Sequence, residues 1–429
     1  MTPSGAGPKG GQHSAWFMQL WIKLVIQGCV PLSGVGRVLK ILGEALGLVW
    51  PEVHYTTGRS WILRNGLSAL RQRLEQAADW IWIADHSVQI GKTKLLVIVG
   101  LRASRQPAVG QALRTSDLQL IALEPMECST ALRVHEVFRR AALRTGCPQA
   151  IVSDHGADLL GAVRLWIADH PVTVEIYDVA HQLAALLKDR LQAHSHWAGF
   201  VRELTRAKLK MVQTDVAGLI PPRLREKARF MNIKPLIVWG LKMLRLLKRS
   251  RLDGPVAGIT PQRLAEQLGW LEEFELALRE WQEWLRLIES TLQIIRTQGY
   301  TAETPHLRDQ QICLPPQFPS TAEFNSTVGA FVAATSHTVP ANRRLPGSSE
   351  VLESLFGKFK RLERQQSKGG FTSLTLGLGV LVSQATEVMP QVFNDIMERT
   401  GLKNVQTWVA QYMGTTIGSQ RRMATEAAQ

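Results

Sequence analysis

Three acidic residues stand where a carboxylate needs a reason to be. Asp85 interrupts the apolar, partly alternating stretch WIWIADHSVQI at 80–90, just after Ile81, Ile83 and Ala84. An ionised group in such a setting is costly unless it is paired or metal-bound. Asp154 follows the short run QAIVS at 149–153 and precedes His155-Gly156. It is either the N-cap of the next helix or a ligand at the carboxyl end of a strand, where open α/β sheets place their sites. Glu353 belongs to a helix expected over 349–364. There Leu352, Leu355, Phe356, Phe359 and Leu362 follow core spacing, and Glu353, Gly357, Lys360 and Arg364 share another face. Glu350 competes with Glu353 but falls in the first turn, where an acid complements the helix dipole. We assign Glu350 to capping and Glu353 to metal. The alternatives are a turn-closing Asp85, a capping Asp154 and a solvated Glu353 face. Converging carboxylates on rigid elements suit a hard divalent cation. Mg²⁺ keeps several waters, so two or three carboxylates suffice. Two such ions about 3.5–4 Å apart activate the nucleophile and stabilise the leaving oxygen of a phosphoryl transfer.

The elements that would position these groups follow from periodicity. Residues 80–90 and 94–101 (KLLVIVGL) read as a buried hairpin turning at Gly91-Lys92. Residues 118–123 are a third strand, 129–144 an amphipathic helix, 149–153 a fourth strand, 157–169 a helix and 172–177 a fifth strand, an order of β-β-β-α-β-α-β. From 182 to about 345 the pattern is helical and rich in Leu, Arg and Trp, and a new helix begins near Ser348. Before the hairpin, 16–50 holds two short helices split at Pro31-Leu-Ser-Gly34, and Tyr55 to Leu70 a basic third. That outline fits a helix-turn-helix, with Arg59, Arg64 and Arg71 available to phosphates. Three small helices packed on each other fit it equally. The organisation expected is a disordered tail at 1–15, a helix-turn-helix domain at 16–75, the first part of an α/β core at 76–181, a helical insertion at 182–345, core completion with C-terminal helices at 346–415, and a tail at 416–429.

Composition narrows the function classes. The chain of 429 residues, 45% apolar and 20% charged, is globular and long enough for two or three domains. Its 50 basic against 36 acidic residues, net +14, point to a polyanionic partner, nucleic acid first. Cys29, Cys128, Cys147 and Cys313 form no CxxC pair, which removes zinc-ribbon and thioredoxin readings. They read as core fillers in a reducing cytosol. No secretory signal opens the chain. No apolar run reaches the roughly 18 residues of a membrane span, and 371–383 (FTSLTLGLGVLVS) is too short and too rich in Gly, Ser and Thr.

Taken in order, these segments resemble the ribonuclease-H-like fold of DDE transposases and integrases. Residues 80–101 and 151–156 (IVSDHG) look like its first two catalytic segments, and Glu353-Ser-Leu-Phe-Gly-Lys-Phe-Lys360 is similar to the Glu-x6-Lys signature of several bacterial insertion-sequence transposases. The Tyr and Arg that precede that Glu in one such family are missing. Asp178-Val-Ala-His181 resembles the Asp-x2-His motif of transposases with a helical insertion before the Glu, the hAT and Mutator-like groups. The long interval from Asp154 to Glu353 fits such an insertion.

The resemblance implies a transposase using Asp85, Asp154 and Glu353 with two Mg²⁺ ions, for which Mn²⁺ substitutes. Lys360, Lys358, Arg364, Arg59 and Arg64 would bind DNA, with Asp178 and His181 in support. Its partners would be double-stranded DNA, as transposon ends and target, and a second copy of the chain. It would work in a bacterial cytoplasm, with no membrane. The rivals are a nuclease of the same fold without strand transfer, and a domesticated, non-catalytic DNA-binding protein. His86 and His155 read as ordinary histidines beside the site, and Asp158 as a solvated helix residue. Trp197, Trp239, Trp270, Trp281 and Trp284 read as core packing, with base stacking as the alternative.

Overall fold

The computed structural model describes residues 7–9, 11–90, 93–225, 230, 232–312, 317–364, 372–383, 387–413 and 424–427. The expected turn at Gly91-Lys92, Cys313 and all of the 416–429 tail except 424–427 lie outside them. The chain divides into two compact units, one of 1–176 with 349–429 and one of 177–348. The segment expected to stand alone at 16–75 belongs to the same unit as the sheet.

The first unit opens with α1 (Ala15–Ile26), α2 (Val35–Leu46) and α3 (Tyr55–Arg71). Ser14 caps α1 by accepting from the Phe17 N–H at 3.3 Å, and the His13 ring lies against Phe17 and Trp61. The end of the expected N-terminal tail is therefore packed. On α2 only Val35, Leu39 and Gly43 are buried. Ile41 and Leu46 are exposed, although both fit the helical spacing.

The sheet follows: β1 (Trp80–Ile90), β2 (Thr93–Arg102), β3 (Gln119–Met126), α4 (Ala131–Thr145), β4 (Ala150–Ser153), α5 (Ala157–Asp169) and β5 (Val174–Tyr177). This is the β-β-β-α-β-α-β succession expected. The strand order is β3-β2-β1-β4-β5, a mixed sheet. β1 pairs antiparallel to β2 and parallel to β4, and β2 pairs antiparallel to β3. Alternation sorts the side chains by face. Trp80, Trp82 and Ala84 pack with Val134 and Phe138 of α4 and with Leu159, Val163 and Trp166 of α5. Ile81, Ile83 and Asp85 therefore point to the opposite face.

Beyond Tyr177, the described residues of the second unit form helices and two isolated bridges. It comprises α6 (Val179–Ala193), α7 (Trp197–Met211), α8 (Ile233–Asp253), α9 (Pro261–Leu268), α10 (Glu275–Gln298), α11 (Thr304–Gln311) and α12 (Pro319–Thr338). Its core is aromatic. The Trp281 ring sits 5.4 Å from Trp197 and 5.2 Å from Phe200, and Phe200 lies 5.5 Å from Phe274. Trp197, Trp239, Trp281 and Trp284 are buried and Trp270 is half-buried, so these indoles are packing groups.

The chain returns to the first unit with α13 (Glu350–Glu363), α14 (Gly377–Val382), α15 (Pro390–Arg399) and α16 (Leu402–Tyr412). α14, α15 and α16 all pack on α3. The apolar, Gly-rich run before Ser383 is thus buried against another helix. At the α3–α14 crossing Gly66 meets Leu376 and Gly379 so closely that a Cβ on Gly66 would overlap the Leu376 carbonyl oxygen, and one on Gly379 the Gly66 oxygen.

This packing decides the role of α3. Gly58, Trp61, Ile62, Leu63, Asn65, Gly66, Leu67 and Ala69 are all buried. A recognition helix must offer a face to a DNA groove, and α3 spends its faces inside the unit. Among the described residues no helix-turn-helix reader is shown. Arg59 donates to Ser373 Oγ at 2.8 Å. Arg64 donates through Nε to the Thr400 carbonyl at 2.7 Å and through Nη2 to the Met397 carbonyl. Burial lowers the pKa of both guanidinium groups. The expectation that they meet phosphates is replaced by one in which they tie α3 to the C-terminal segments. Arg64→Met should then cost about 2 kcal/mol, because two carbonyl oxygens lose a charged donor. Urea unfolding measures this, and an unchanged midpoint would refute the tie.

One further expectation changes. Cys29, Cys128 and Cys147 are exposed free thiols, not core fillers. Among the described residues no helix is long and apolar enough to cross a membrane.

Candidate active site

Asp85 is carried by the long central strand and is only 7% exposed. Its Oδ1 accepts the His86 main-chain N–H at 2.6 Å. On the neighbouring parallel strand Ile83 pairs with Val152 and Ala84 with Ser153. Asp85 and Asp154 are the next residues on the two sides of this last pair. Ile151 belongs to the α4/α5 face, so alternation sends Val152 to the face that Asp85 occupies, and Asp154 follows directly after the strand. Asp154 is half-buried and its Oδ1 accepts the Gly156 N–H at 3.2 Å. The helix behind it begins at Ala157 with Gly156 as its cap residue, so Asp154 sits two residues before the cap rather than serving as it. Two of the three sequence candidates thus follow the same end of the β1–β4 pairing.

Glu353 lies on α13, which packs on β1 and contributes nothing to the α4/α5 cluster. Its faces fall as the spacing required. Leu352, Leu355, Phe356, Phe359 and Leu362 are buried. Glu353, Gly357, Lys358, Lys360 and Arg364 are exposed. One part of the reasoning fails. The helix starts at Glu350, so Glu350 and Glu353 both lie in its first turn, and the dipole argument does not separate them. Among the described residues no three His, Cys, Asp or Glu side chains stand close enough together to hold one ion. The aspartate pair is placed by the sheet, whereas the third ligand depends on the first turn of α13.

The surroundings of the pair include residues the sequence did not single out. Asp158, expected in solvent, has a side chain only 13% exposed and lies 3.2 Å from Lys94 Nζ and 3.8 Å from His86 Nε2. His86 Nε2 is also 3.0 Å from Ser129 Oγ. Burial pushes the Asp158 carboxyl up. The Ser129 hydrogen bond and the nearby His86 and Lys94 outweigh it, and the net pKa is lowered. Burial pushes the His86 imidazole down; Lys94 acts in the same sense, while Asp158 and Asp154 oppose it, and the net is below the ordinary value. His86 is therefore a neutral hydrogen-bonding ring at neutral pH. A cation on β2 and a hydroxyl before α4 are invisible to local periodicity. His155 pairs with Glu175 at 3.0 Å, away from any ligand role.

Asp178 and His181 open α6 in the second unit. Asp178 is fully buried and accepts the Ala180 N–H at 2.7 Å, with His181 Nδ1 at 3.1 Å. Asp178 is the N-cap of α6.

No protein-family model and no curated protein matches the chain by sequence. By structure it is similar to a chain of the "Drosophila P element transposase strand transfer complex", with a TM-score of 0.42 and 10% identity over 87% of this chain and 92% of that one. At that distance the likeness assigns no family.

Proposed function

We propose that the chain is a DDE-type DNA transposase of an insertion sequence, with a ribonuclease-H-like core interrupted by a helical unit. The observation that supports this reading is the parallel register of β1 and β4, whose last pair, Ala84 with Ser153, is followed directly by Asp85 on one side and Asp154 on the other. The donor set fits a hard cation such as Mg²⁺, with Mn²⁺ as substitute, because it offers oxygen ligands from rigid elements. Asp85 and Asp154 would hold two ions, with Glu353, or Glu350 in its stead, completing the set. When bound, the ions supply activation of the attacking oxygen and stabilisation of the leaving one.

The chain's own residues then do the positioning. Lys358, Lys360 and Arg364 line α13 beyond its acidic turn and would run along the DNA backbone. The partners are double-stranded DNA at transposon ends and target, and a second copy of the chain on paired ends. Asp178 and His181 order the start of the helical unit.

The test is a joining assay with Mg²⁺, using the DNA that flanks the coding frame supplied both intact and pre-cleaved. Joined product supports the proposal. Cutting without joining would make the protein a nuclease, and metal-independent binding without cutting would make it a non-catalytic binder. Lys360→Ala should weaken DNA binding about equally for all sequences and reduce the slope of log affinity against log salt by about 1. Anisotropy titrations at several salt concentrations measure this, and an unchanged slope would remove Lys360 from the phosphate contacts.

A further inference from the structure

We propose that Asp158 is a positioning residue for the Asp85–Asp154 pair, acting through His86 and Ser129 and through its closeness to Asp154, without touching metal or DNA. This rests on the reading of Asp85 and Asp154 as metal ligands. Asp158 stands in the first turn of α5, where an acid would ordinarily complement the helix dipole from solvent. Here it is turned inward and shared among neighbours. Oδ1 accepts the Leu159 N–H at 3.1 Å, and Oδ2 lies 3.2 Å from Lys94 Nζ.

From this carboxylate two arms run to the pair. One passes through the His86 ring, at 3.8 Å from Asp158 and 3.0 Å from Ser129 Oγ. The same residue's main-chain N–H donates to Asp85 Oδ1 at 2.6 Å. Fixing the His86 ring on one face of β1 thus fixes the donor that aims Asp85 on the other. The second is the nearness of Asp158 to Asp154 across the turn before α5. The Gly156 N–H donates to Asp154 Oδ1 at 3.2 Å. A Cβ built on Gly156 would lie 3.3 Å from both Asp154 Oδ1 and Asp158 Oδ1. The gap between these two oxygens is therefore at most twice that distance. Two carboxylates so close repel unless a cation offsets one of them, and Lys94 does so for Asp158. Strand alternation explains why Asp158 is not itself a ligand. It meets His86 on the α4/α5 side of β1, and Asp85 points to the other.

The test is a Mn²⁺ titration of the full-length protein, following free Mn²⁺ by electron paramagnetic resonance and DNA cleavage in parallel, with thermal midpoints recorded. Two variants keep the net charge. Asp158→Glu keeps the carboxylate but moves it, and Ser129→Ala removes the hydroxyl that holds His86. Each is expected to raise the half-saturating Mn²⁺ concentration about tenfold, the usual effect of disturbing a residue that orients a metal ligand. Cleavage at saturating Mn²⁺ should stay near the wild-type rate. Asp85→Asn, run alongside, should abolish tight Mn²⁺ binding. Wild-type titrations for both charge-neutral variants, with Asp85→Asn inactive, would overturn the proposal and leave the site standing. Cleavage lost at every Mn²⁺ concentration would also overturn it, by making Asp158 a catalytic residue. Unchanged Mn²⁺ binding in Asp85→Asn would instead bring down the site and this inference with it.

Discussion

Asp85→Asn is expected to lower metal-dependent DNA cleavage by about 10³-fold while leaving the protein as stable as before, or slightly more so. The activity loss follows from removing one of two anionic ligands, since metal stabilisation of the developing charge contributes several kcal/mol, and each 1.36 kcal/mol is tenfold in rate. The stability effect has the opposite sign for a definite reason. Asp85 is 7% exposed in a strand, and Asp154 follows directly after the strand that pairs beside it. Neutralising a buried carboxylate near the half-buried Asp154 relieves desolvation and repulsion together. Catalytic residues often carry this trade of stability for function. Single-turnover cleavage and thermal unfolding on the same preparation measure both effects. Wild-type activity would remove Asp85 from the site. Comparing Glu353→Gln with Glu350→Gln, each in the first turn of α13, shows which of them is the third ligand.

Gly66→Ala is expected to destabilise the sheet-containing unit by about 3 kcal/mol or more. Overpacking a well-filled contact costs about 1–3 kcal/mol when side chains can adjust, but here the added methyl meets backbone. It would overlap the Leu376 carbonyl oxygen, and the Gly66 backbone also lies against Gly379. Neither partner can swing away, so α14 must separate from α3. Gly36→Ala is the control, because nothing lies within 4 Å of a Cβ there. Urea unfolding of the two variants decides the matter. Equal midpoints would mean that the α3–α14 crossing does not limit stability.

Local pattern made the sheet and the faces of α13 legible. Alternating or continuous apolar runs require buried strands, and the spacing from Leu352 to Leu362 requires one buried helix face. The strand that carries Asp85 and the one that ends just before Asp154 followed from the same signals. What escaped was every property set by distant chain. Arg59 and Arg64 sit in a helix that reads as basic and surface-facing. Only Ser373, Met397 and Thr400, more than three hundred residues later, show why they are turned inward. Asp158 has a solvated helical phase, yet Lys94 reaches it from a strand and His86 from another. The choice between Glu350 and Glu353 turned on where the helix begins, and terminal residues are the least certain part of any helix boundary.

The union of α3 with the last helices has a consequence for how the protein is made. Arg64 and its acceptor on Thr400 are 336 residues apart in the chain. At the usual pace of synthesis, about 5–20 residues per second, α3 waits roughly 20–70 s on the ribosome for its partners. During that interval Trp61 can pack on Phe17 and Trp21 of α1, but the Gly66 face of α3 lacks Leu376 and Gly379, while the all-helical unit is synthesised and can fold first. The first unit closes only when the final stretch emerges, so the nascent chain has a long period in which chaperones, or a second nascent copy, compete for α3.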